Sequence, residues 1–259
     1  MAKSSPAQAS GKPKSASEAP VESADLPLPP TGGHPARVAL VIDDLGRSVA
    51  EIDQLQHLGV PLTYAVLPFE SLTPKVVEEL TKRQLEMLCH LPMEAEGNAD
   101  PGPGALHLGM SNAQLVALTR SALEAVPGAV GVNNHMGSAL SANRPAMVAI
   151  LSAVAEKGLF FLDSRTSAES VGYQEAERLG IPAAERQVFL DDDLHPDAIA
   201  EEFRRMLQIA SEKGLVIAIG HPHPATLEVL ARELPRAQAA GYEFVPVSYL
   251  VDRRDVAPE

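Results

Sequence analysis

Four strand-like apolar runs of this sequence each end on side chains that can bind a metal ion or transfer protons. The runs are RVALVIDD, ending on Asp43 and Asp44; LEMLCH, ending on His90; AVGVNNH, ending on His135; and LVIAIGH, ending on His221. Each run is followed closely by a glycine or a proline, residues that interrupt regular structure. Carboxylates and imidazoles are the ligands and the acid–base groups of catalytic divalent-metal sites.

These runs belong to an alternation of strands and helices that begins at residue 37. The predicted strands are 37–43, 62–67, 86–91, 130–134, 159–163, 187–190, 215–220 and 243–247. The predicted helices are 48–58, 72–83, 111–126, 144–156, 170–179, 196–212 and 224–239. Such alternation indicates an α/β fold with parallel strands. Seven or eight units favour a closed or nearly closed (β/α) barrel over an open flavodoxin-like sheet, which stays as the alternative. The strand ends then converge on one pocket.

The two ends of the chain differ from the middle. Residues 1–35 are rich in Ala, Ser, Pro and Lys, and no aromatic residue precedes Tyr64. Such a segment buries too little apolar surface to offset its ordering entropy. We interpret 1–35 as a flexible tail or linker, 36–252 as one domain and 253–259 as a C-terminal tail. No apolar run approaches the roughly 20 residues that a membrane-spanning helix needs, so we expect no membrane insertion by this chain.

Composition excludes several classes of function. The net charge is −13, and Lys and Arg form no cluster, which argues against binding to nucleic acid. A glycine-rich phosphate loop, a nucleophile elbow, an HExxH helix and a cysteine pair are all absent from the sequence. With four Tyr and no Trp, a long polysaccharide groove would have few stacking platforms.

The Asp43–Asp44 pair has two interpretations. At a strand end both carboxylates can reach one pocket, where one binds a metal and the other acts as a base. Alternatively, an aspartate there caps the following helix, for which Asp is a favoured residue. The histidines at the other strand ends favour the catalytic interpretation.

Further polar residues follow two other strands. The amides beside His135 are costly to bury without partners, so we expect them to face a ligand, water or metal, and we assign Asn134 to substrate binding. Asp163 either orients a catalytic histidine or pairs with Arg165 and holds the loop. We assign Asp163 to the catalytic residues and Arg165 to the substrate-binding residues. The acidic run 191–193 is interpreted as a solvated turn before a helix.

Five motifs, in order, resemble those of the divergent polysaccharide deacetylase family: VIDDLG, HLPME, VGVNNHMGS, FFLDSRT and AIGHPHP. The resemblance covers nearly all of residues 37–250 and is specific, because five separated motifs agree in order and spacing. It implies a single distorted (β/α)7-8 barrel of the deacetylase type, a zinc-like metal, and a periplasmic or secreted location.

By this resemblance Asp43 matches the catalytic base, Asp44 the metal carboxylate and His90 the first metal histidine. His221 matches the histidine of the last motif, which acts as an acid. Ordinary polysaccharide deacetylases carry a second histidine one turn after the first, where this sequence reads LPME, and VNNHMGS replaces their Arg-x-Pro-Tyr strand. We infer that His135 supplies the missing imidazole, so that the metal ligands are Asp44, His90 and His135.

Two functions are therefore expected. The first is metal-dependent removal of acetyl groups from an N- or O-acetylated carbohydrate of the cell envelope, with zinc as the metal. The second is a non-catalytic envelope protein that binds a glycan or a protein partner on the same fold. The sequence identifies no protein partner.

Overall fold

The computed structural model describes residues 26–29, 35–97 and 99–251 of the 259-residue chain. Most of the predicted tail 1–35, and all of the predicted tail 253–259, lie outside these residues. Residues 26–29 contact the domain: the hydroxyl of Tyr242 donates to the carbonyl of Pro27, and Leu26 packs against the core. Within the described part of the chain, no helix is long and apolar enough to cross a membrane.

Strands and helices alternate along the described chain. The strands are β1 Arg37–Leu45, β2 Thr63–Val66, β3 Met87–Met93, β4 Gly131–Met136, β5 Phe160–Asp163, β6 Ala183–Glu185, β7 Val188–Phe189, β8 Leu215–Gly220 and β9 Glu243–Phe244. The helices are α1 Ala50–Gln56, α2 Thr73–Lys82, α3 Asn112–Ala125, α4 Arg144–Glu156, α5 Gly172–Arg178, α6 Pro196–Lys213, α7 Pro224–Ala239 and α8 Val247–Val251. The seven predicted helices match α1 to α7. The predicted strand 243–247 is shorter than expected, and β6 and α8 are additional elements.

Local chemistry explains where several helices begin and end. Ser111 and Gln114 form a reciprocal capping box at the start of α3. The side chain of Asn143 accepts a hydrogen bond from the amide of Ala146 and so caps α4. Gly214 ends α6 with a φ of 79°, a left-handed conformation that glycine adopts without steric cost.

The strands form one parallel sheet that curls into a distorted barrel, which confirms the predicted fold class. The strand order is β6-β5-β4-β3-β2-β1-β8-β7, and β9 pairs with the beginning of β1. The segment 183–189 pairs first with β5 and then with β8. One continuous segment therefore covers both edges of the curled sheet, a different arrangement from the open flavodoxin-like alternative.

The sheet has two apolar faces because successive side chains of a strand alternate in direction. The inner face is filled by apolar residues from several strands: Ala39, Val41, Ala65, Leu88, Phe160, Leu162, Ile217 and Ile219. The outer face packs against the helices and includes Val38, Leu40, Ile42, Cys89, Val132, Phe161 and Ala218. The inward-facing residues of one strand, which are every second residue, form what we call its inner row. At the carboxyl ends of the strands these inner rows continue into polar residues.

We predict that Gly131→Ala destabilises the fold by about 1–3 kcal/mol, the usual cost of overpacking a core. A β-carbon on Gly131 would lie 2.4 Å from the ring of Phe160, its partner on the adjacent strand. Urea denaturation would measure the change in the free energy of unfolding. Gly109→Ala is the matched control, because a β-carbon there meets no atom within 4 Å. Equal stability of the two variants would contradict the inward packing of Phe160.

Candidate active site

A bulge near the end of β1 brings two consecutive carboxylates to the same side of the sheet. The pairing of β1 with β2 shifts register between Ile42 and Leu45, and Asp44 has a φ of 64°. Neighbouring side chains of a regular strand point to opposite faces. The left-handed backbone at Asp44, which aspartate tolerates better than most residues, removes that alternation. Asp43 continues the inner row and is buried, whereas Asp44 is half-buried.

One oxygen of Asp44 and one nitrogen from each of two histidines converge on a common point. Oδ1 of Asp44 lies 2.8 Å from Nδ1 of His135 and 3.2 Å from Nε2 of His90. The two nitrogens are 3.2 Å apart. These three groups form a candidate metal-ion cluster. The strand ends of β1, β3 and β4 thus bring together the three ligands predicted from the sequence.

The chemistry of this cluster fits a divalent metal. Oδ1 of Asp44 is buried and receives no hydrogen bond of acceptable geometry. Burial raises the pKa of Asp44, but the adjacent imidazoles of His135 and His90 outweigh it and hold that pKa well below the usual range. One carboxylate and two imidazoles are a common ligand set for catalytic zinc, which keeps a position open for water or substrate.

Asn133 connects the second carboxylate to the first histidine. Its Nδ2 donates to Oδ1 of Asp43 at 2.8 Å, and its Oδ1 lies 2.9 Å from Nδ1 of His90. The other oxygen of Asp43, Oδ2, lies 3.6 Å from Nε2 of His90. Burial raises the pKa of Asp43, although His90 and His221 oppose this shift. A buried carboxylate beside a cation site is suited to act as a base.

His221 is held by a buried carboxylate at the end of β7. Its Nδ1 lies 2.9 Å from Oδ1 of Asp191, and its backbone amide donates to Oδ2 of Asp191 at 2.7 Å. The hydroxyl of Thr226 donates to the same Oδ2. Burial lowers the pKa of His221, but the bond to Asp191 and the charge of Asp43 raise it to about 9. Near neutral pH the imidazole therefore carries a proton and can act as an acid.

The position of Asp191 corrects two sequence-based assignments. Asp191 was predicted to lie in a solvated turn, but the structure buries its side chain completely. The carboxylate that orients His221, the proposed acid, is thus Asp191 and not Asp163. Asp163 shares the outer face with Phe161, and its carboxylate accepts hydrogen bonds from the Ser170 hydroxyl and from the amides of Arg165 and Tyr173. It holds the loop that leads into α5, as the second interpretation proposed.

Asn134, which the sequence assigns to substrate binding, makes contacts within the protein. Its Oδ1 accepts a hydrogen bond from the amide of Ser164, and its Nδ2 donates to the carbonyl of Met136 and to the hydroxyl of Thr166. The amide therefore ties the loop after β4 to the loop after β5. Asn133, one residue earlier on the inner face, is the amide that reaches the site.

A cavity of about 550 Å³ lies between the segment around β7 and helix α6, and its lining includes neither His221 nor a residue of the metal cluster. Its walls include Arg165, Arg186, Phe189, Asp192, Glu202 and Arg205. Phe189 connects it to the site: its ring lies 5.3 Å from the imidazole of His221, and the guanidinium of Arg186 stacks over the same ring at 4.9 Å. Arg165, predicted to bind substrate, lines this cavity while its Nη1 and Nη2 donate to the carbonyls of Ser170 and Ala168.

Comparison with known proteins identifies the class. Residues 40–251 match the family described as "Divergent polysaccharide deacetylase". The chain belongs to this family. An uncharacterized protein of Haemophilus influenzae is 36% identical over 203 residues, which are 77% of this chain and 72% of that protein. The uncharacterized protein YibQ of Escherichia coli is 35% identical over 194 residues, 75% of this chain and 61% of that protein. The matched region thus spans less than two thirds of YibQ.

Solved structures share the fold at low sequence identity. An uncharacterized protein of Agrobacterium tumefaciens, ATU2773, aligns with a TM-score of 0.77 and 23% identity, covering 86% of this chain and 92% of that one. A structure described as "T48 deacetylase with substrate" gives a TM-score of 0.53 and 13% identity over 83% of this chain and 90% of that one. A Bacillus anthracis protein, BA3943, described as a CE4 family pseudoenzyme, gives 0.51 and 16% over 85% and 67%.

We predict that His135→Ala weakens zinc binding by more than about 100-fold, because even the loss of a group that only orients a ligand costs 10- to 100-fold. Isothermal titration of metal-depleted protein would measure the dissociation constant. His57→Ala is the control, since His57 is exposed and its Nδ1 faces the carbonyl of Asp53 on its own helix. Unchanged affinity and stoichiometry in His135→Ala would exclude His135 as a ligand.

Proposed function

We propose that this protein is a metal-dependent hydrolase that removes acetyl groups from an N- or O-acetylated carbohydrate of the cell envelope. The observation that carries the proposal is the convergence of Asp44, His90 and His135 on one point, with a buried carboxylate, Asp43, beside them. The family supports the deacetylase chemistry and the carbohydrate substrate. A periplasmic or secreted location follows from the same resemblance and is part of the proposal.

Asp44, His90 and His135 would hold the metal, for which zinc fits the ligand set. When bound, the ion supplies Lewis acidity to the acetyl carbonyl oxygen. The protein contributes rigid ligand positions, because all three residues lie near the carboxyl ends of strands of one hydrogen-bonded sheet, in which β3 and β4 are adjacent and β2 separates β3 from β1.

Two residues divide the proton transfers. Asp43 takes a proton from the attacking water, and its Oδ2 is available for this because Asn133 occupies Oδ1. His221 donates a proton to the departing nitrogen or oxygen of the sugar as the bond to the acetyl carbon breaks. Asp191 holds Nδ1 of His221, so Nε2 is the nitrogen left to make the transfer. The products are acetate and the free amine or hydroxyl.

The cavity that Phe189 connects to His221 is the proposed position of the part of the carbohydrate next to the reacting acetyl group. Its volume of about 550 Å³ is in the range of small-molecule sites. Arg165 and Arg186 offer cationic groups in its wall. Arg165 therefore stays a proposed substrate contact, as does Asn134.

We predict that Asp43→Asn lowers the rate of acetate release by about 100- to 10,000-fold, the usual contribution of a general base. Acetate release would be followed on acetylated chito-oligosaccharides and peptidoglycan fragments with added zinc. Asp197→Asn, a change of an exposed aspartate that lies outside the metal cluster and outside the lining of the cavity, is the matched control. BA3943 is described as a pseudoenzyme, so the fold does not decide activity. If the wild type releases no acetate from any of these substrates but binds a glycan measurably, the result would favour the non-catalytic alternative.

The pH dependence of kcat/KM tests the role of His221. An acid acts only while protonated, so activity falls as pH rises through the pKa of His221, which is about 9 without metal. A bound dication lowers this pKa in wild type and variants alike. We predict that Asp191→Asn moves the alkaline limb to lower pH, toward the ordinary value of about 6.5.

The same Asp197→Asn variant controls this experiment, because it removes one negative charge that does not contact His221, whereas Asp191 does. In this control variant, kcat/KM should fall at the same alkaline pH as in the wild type. An alkaline limb that is identical in Asp191→Asn and wild type would show that His221 is not the acid. Metal content is measured in each variant, since lost metal would instead make Asp191 or His221 part of the metal site.

A further inference from the structure

The side chain of Asn133 is completely buried between two groups with different proposed tasks. It contacts Oδ1 of Asp43 at 2.8 Å on one side and Nδ1 of His90 at 2.9 Å on the other. Asp43 and His90 are themselves 2% and 1% exposed, so water does not compete for these contacts. His90 and Asn133 are also direct neighbours in the register of β3 and β4.

The two contacts determine which way the amide of Asn133 faces. An ionised carboxylate only accepts hydrogen bonds, so the NH2 group of Asn133 must point toward Asp43. The carbonyl oxygen of Asn133 then points toward His90, and only a protonated Nδ1 can donate to it. The orientation of an amide and the tautomer of a histidine are assigned together in this way, from the hydrogen-bond network.

This network directs the single proton of a neutral His90 ring to Nδ1 and, when a cation occupies the cluster, leaves Nε2 with the lone pair. Nε2 is the nitrogen that lies 3.2 Å from both Oδ1 of Asp44 and Nδ1 of His135. A metal ligand must offer a lone pair, and the partner of the other ring nitrogen decides which nitrogen offers it. The Asn133 amide thus presents the lone pair of His90 to the centre of the cluster.

We propose that Asn133 is a positioning residue that holds neutral His90 in the Nδ1-protonated tautomer and fixes Oδ1 of Asp43, leaving Oδ2 for catalysis. The proposal rests on the proposed function for the task of Asp43, but not for the tautomer of His90. Asn133 acts through these two side chains and contacts neither substrate nor metal itself.

The first experiment needs no substitution. The two ring nitrogens of His90 are assigned by NMR in zinc-loaded wild-type protein with 15N-labelled imidazoles. We expect the shift of a protonated nitrogen at Nδ1 and of a metal-bound nitrogen at Nε2. A ring that binds zinc through Nδ1, or does not bind it, would overturn the proposal, whether or not the protein releases acetate from any substrate.

Two variants separate the two tasks. Asn133→Leu removes both hydrogen bonds at similar volume, so we expect about 10- to 100-fold weaker zinc binding. Asn133→Asp keeps an acceptor for Nδ1 of His90 but loses the donor to Asp43. We expect it to keep the tautomer and the zinc affinity within a few-fold while the rate of acetate release falls as in Asp43→Asn.

This pattern distinguishes positioning from a merely structural role. Thermal unfolding shows that each variant is folded before metal and tautomer are measured. If Asn133→Leu is folded, binds zinc as the wild type does and keeps Nδ1 protonated, the proposal is wrong. If the tautomer and metal affinity follow the expected pattern but no variant, including wild type, releases acetate, the proposed hydrolase fails and the assignment of Asn133 to His90 stands.

Discussion

The attraction between two carboxylates, one buried and one half-buried, and the imidazoles around them is the interaction on which this site depends. Burying a charge is costly unless an opposite charge or hydrogen bonds compensate it. Asp43 and Asp44 are adjacent in sequence, so each also raises the cost of ionising the other. His90 and His135 offset that cost for Asp44, whose pKa is held low, and the carboxylates in turn raise the pKa of His90 although burial opposes it. A divalent cation at the centre of the cluster would serve the same electrostatic purpose.

Strand geometry decides which side chains enter this cluster. The inner row of β1 runs through Ala39 and Val41 to Asp43, and the inner row of β8 runs through Ile217 and Ile219 to His221. A polar residue that continues an inner row beyond the end of the apolar core faces the axis of the barrel. A polar residue one position away faces the helices instead. Asp44 is the exception, and its left-handed backbone is the local reason.

The sequence therefore predicted the fold and the five strand-end residues, but not the direction of every side chain. Asp163 follows Phe161 and Leu162, so it shares the outer face of Phe161, and Asn134 shares the outer face of Val132. Period-two alternation along FFLD and GVNNH would have assigned both residues to the outside and selected Asn133. Asp191 was harder to predict, because β7 has only two residues and its acidic neighbours at 192 and 193 are exposed. The bulge at Asp44 has no clear signal in RVALVIDD.

The same geometry allows the candidate ligands of one metal site to come from two strands. Glu94 lies four residues after His90, just beyond the end of β3, and its carboxylate accepts a hydrogen bond from the amide of Leu108. His135 is 45 residues away in sequence, yet β3 and β4 are paired neighbours, with Pro92 opposite His135 in the register. Its Nδ1 reaches within 3.2 Å of Nε2 of His90. In a parallel sheet, the end of an adjacent strand is as close to a ligand as the following turn of its own chain. The site is therefore defined by the converging atoms and not by the motif from which each atom comes.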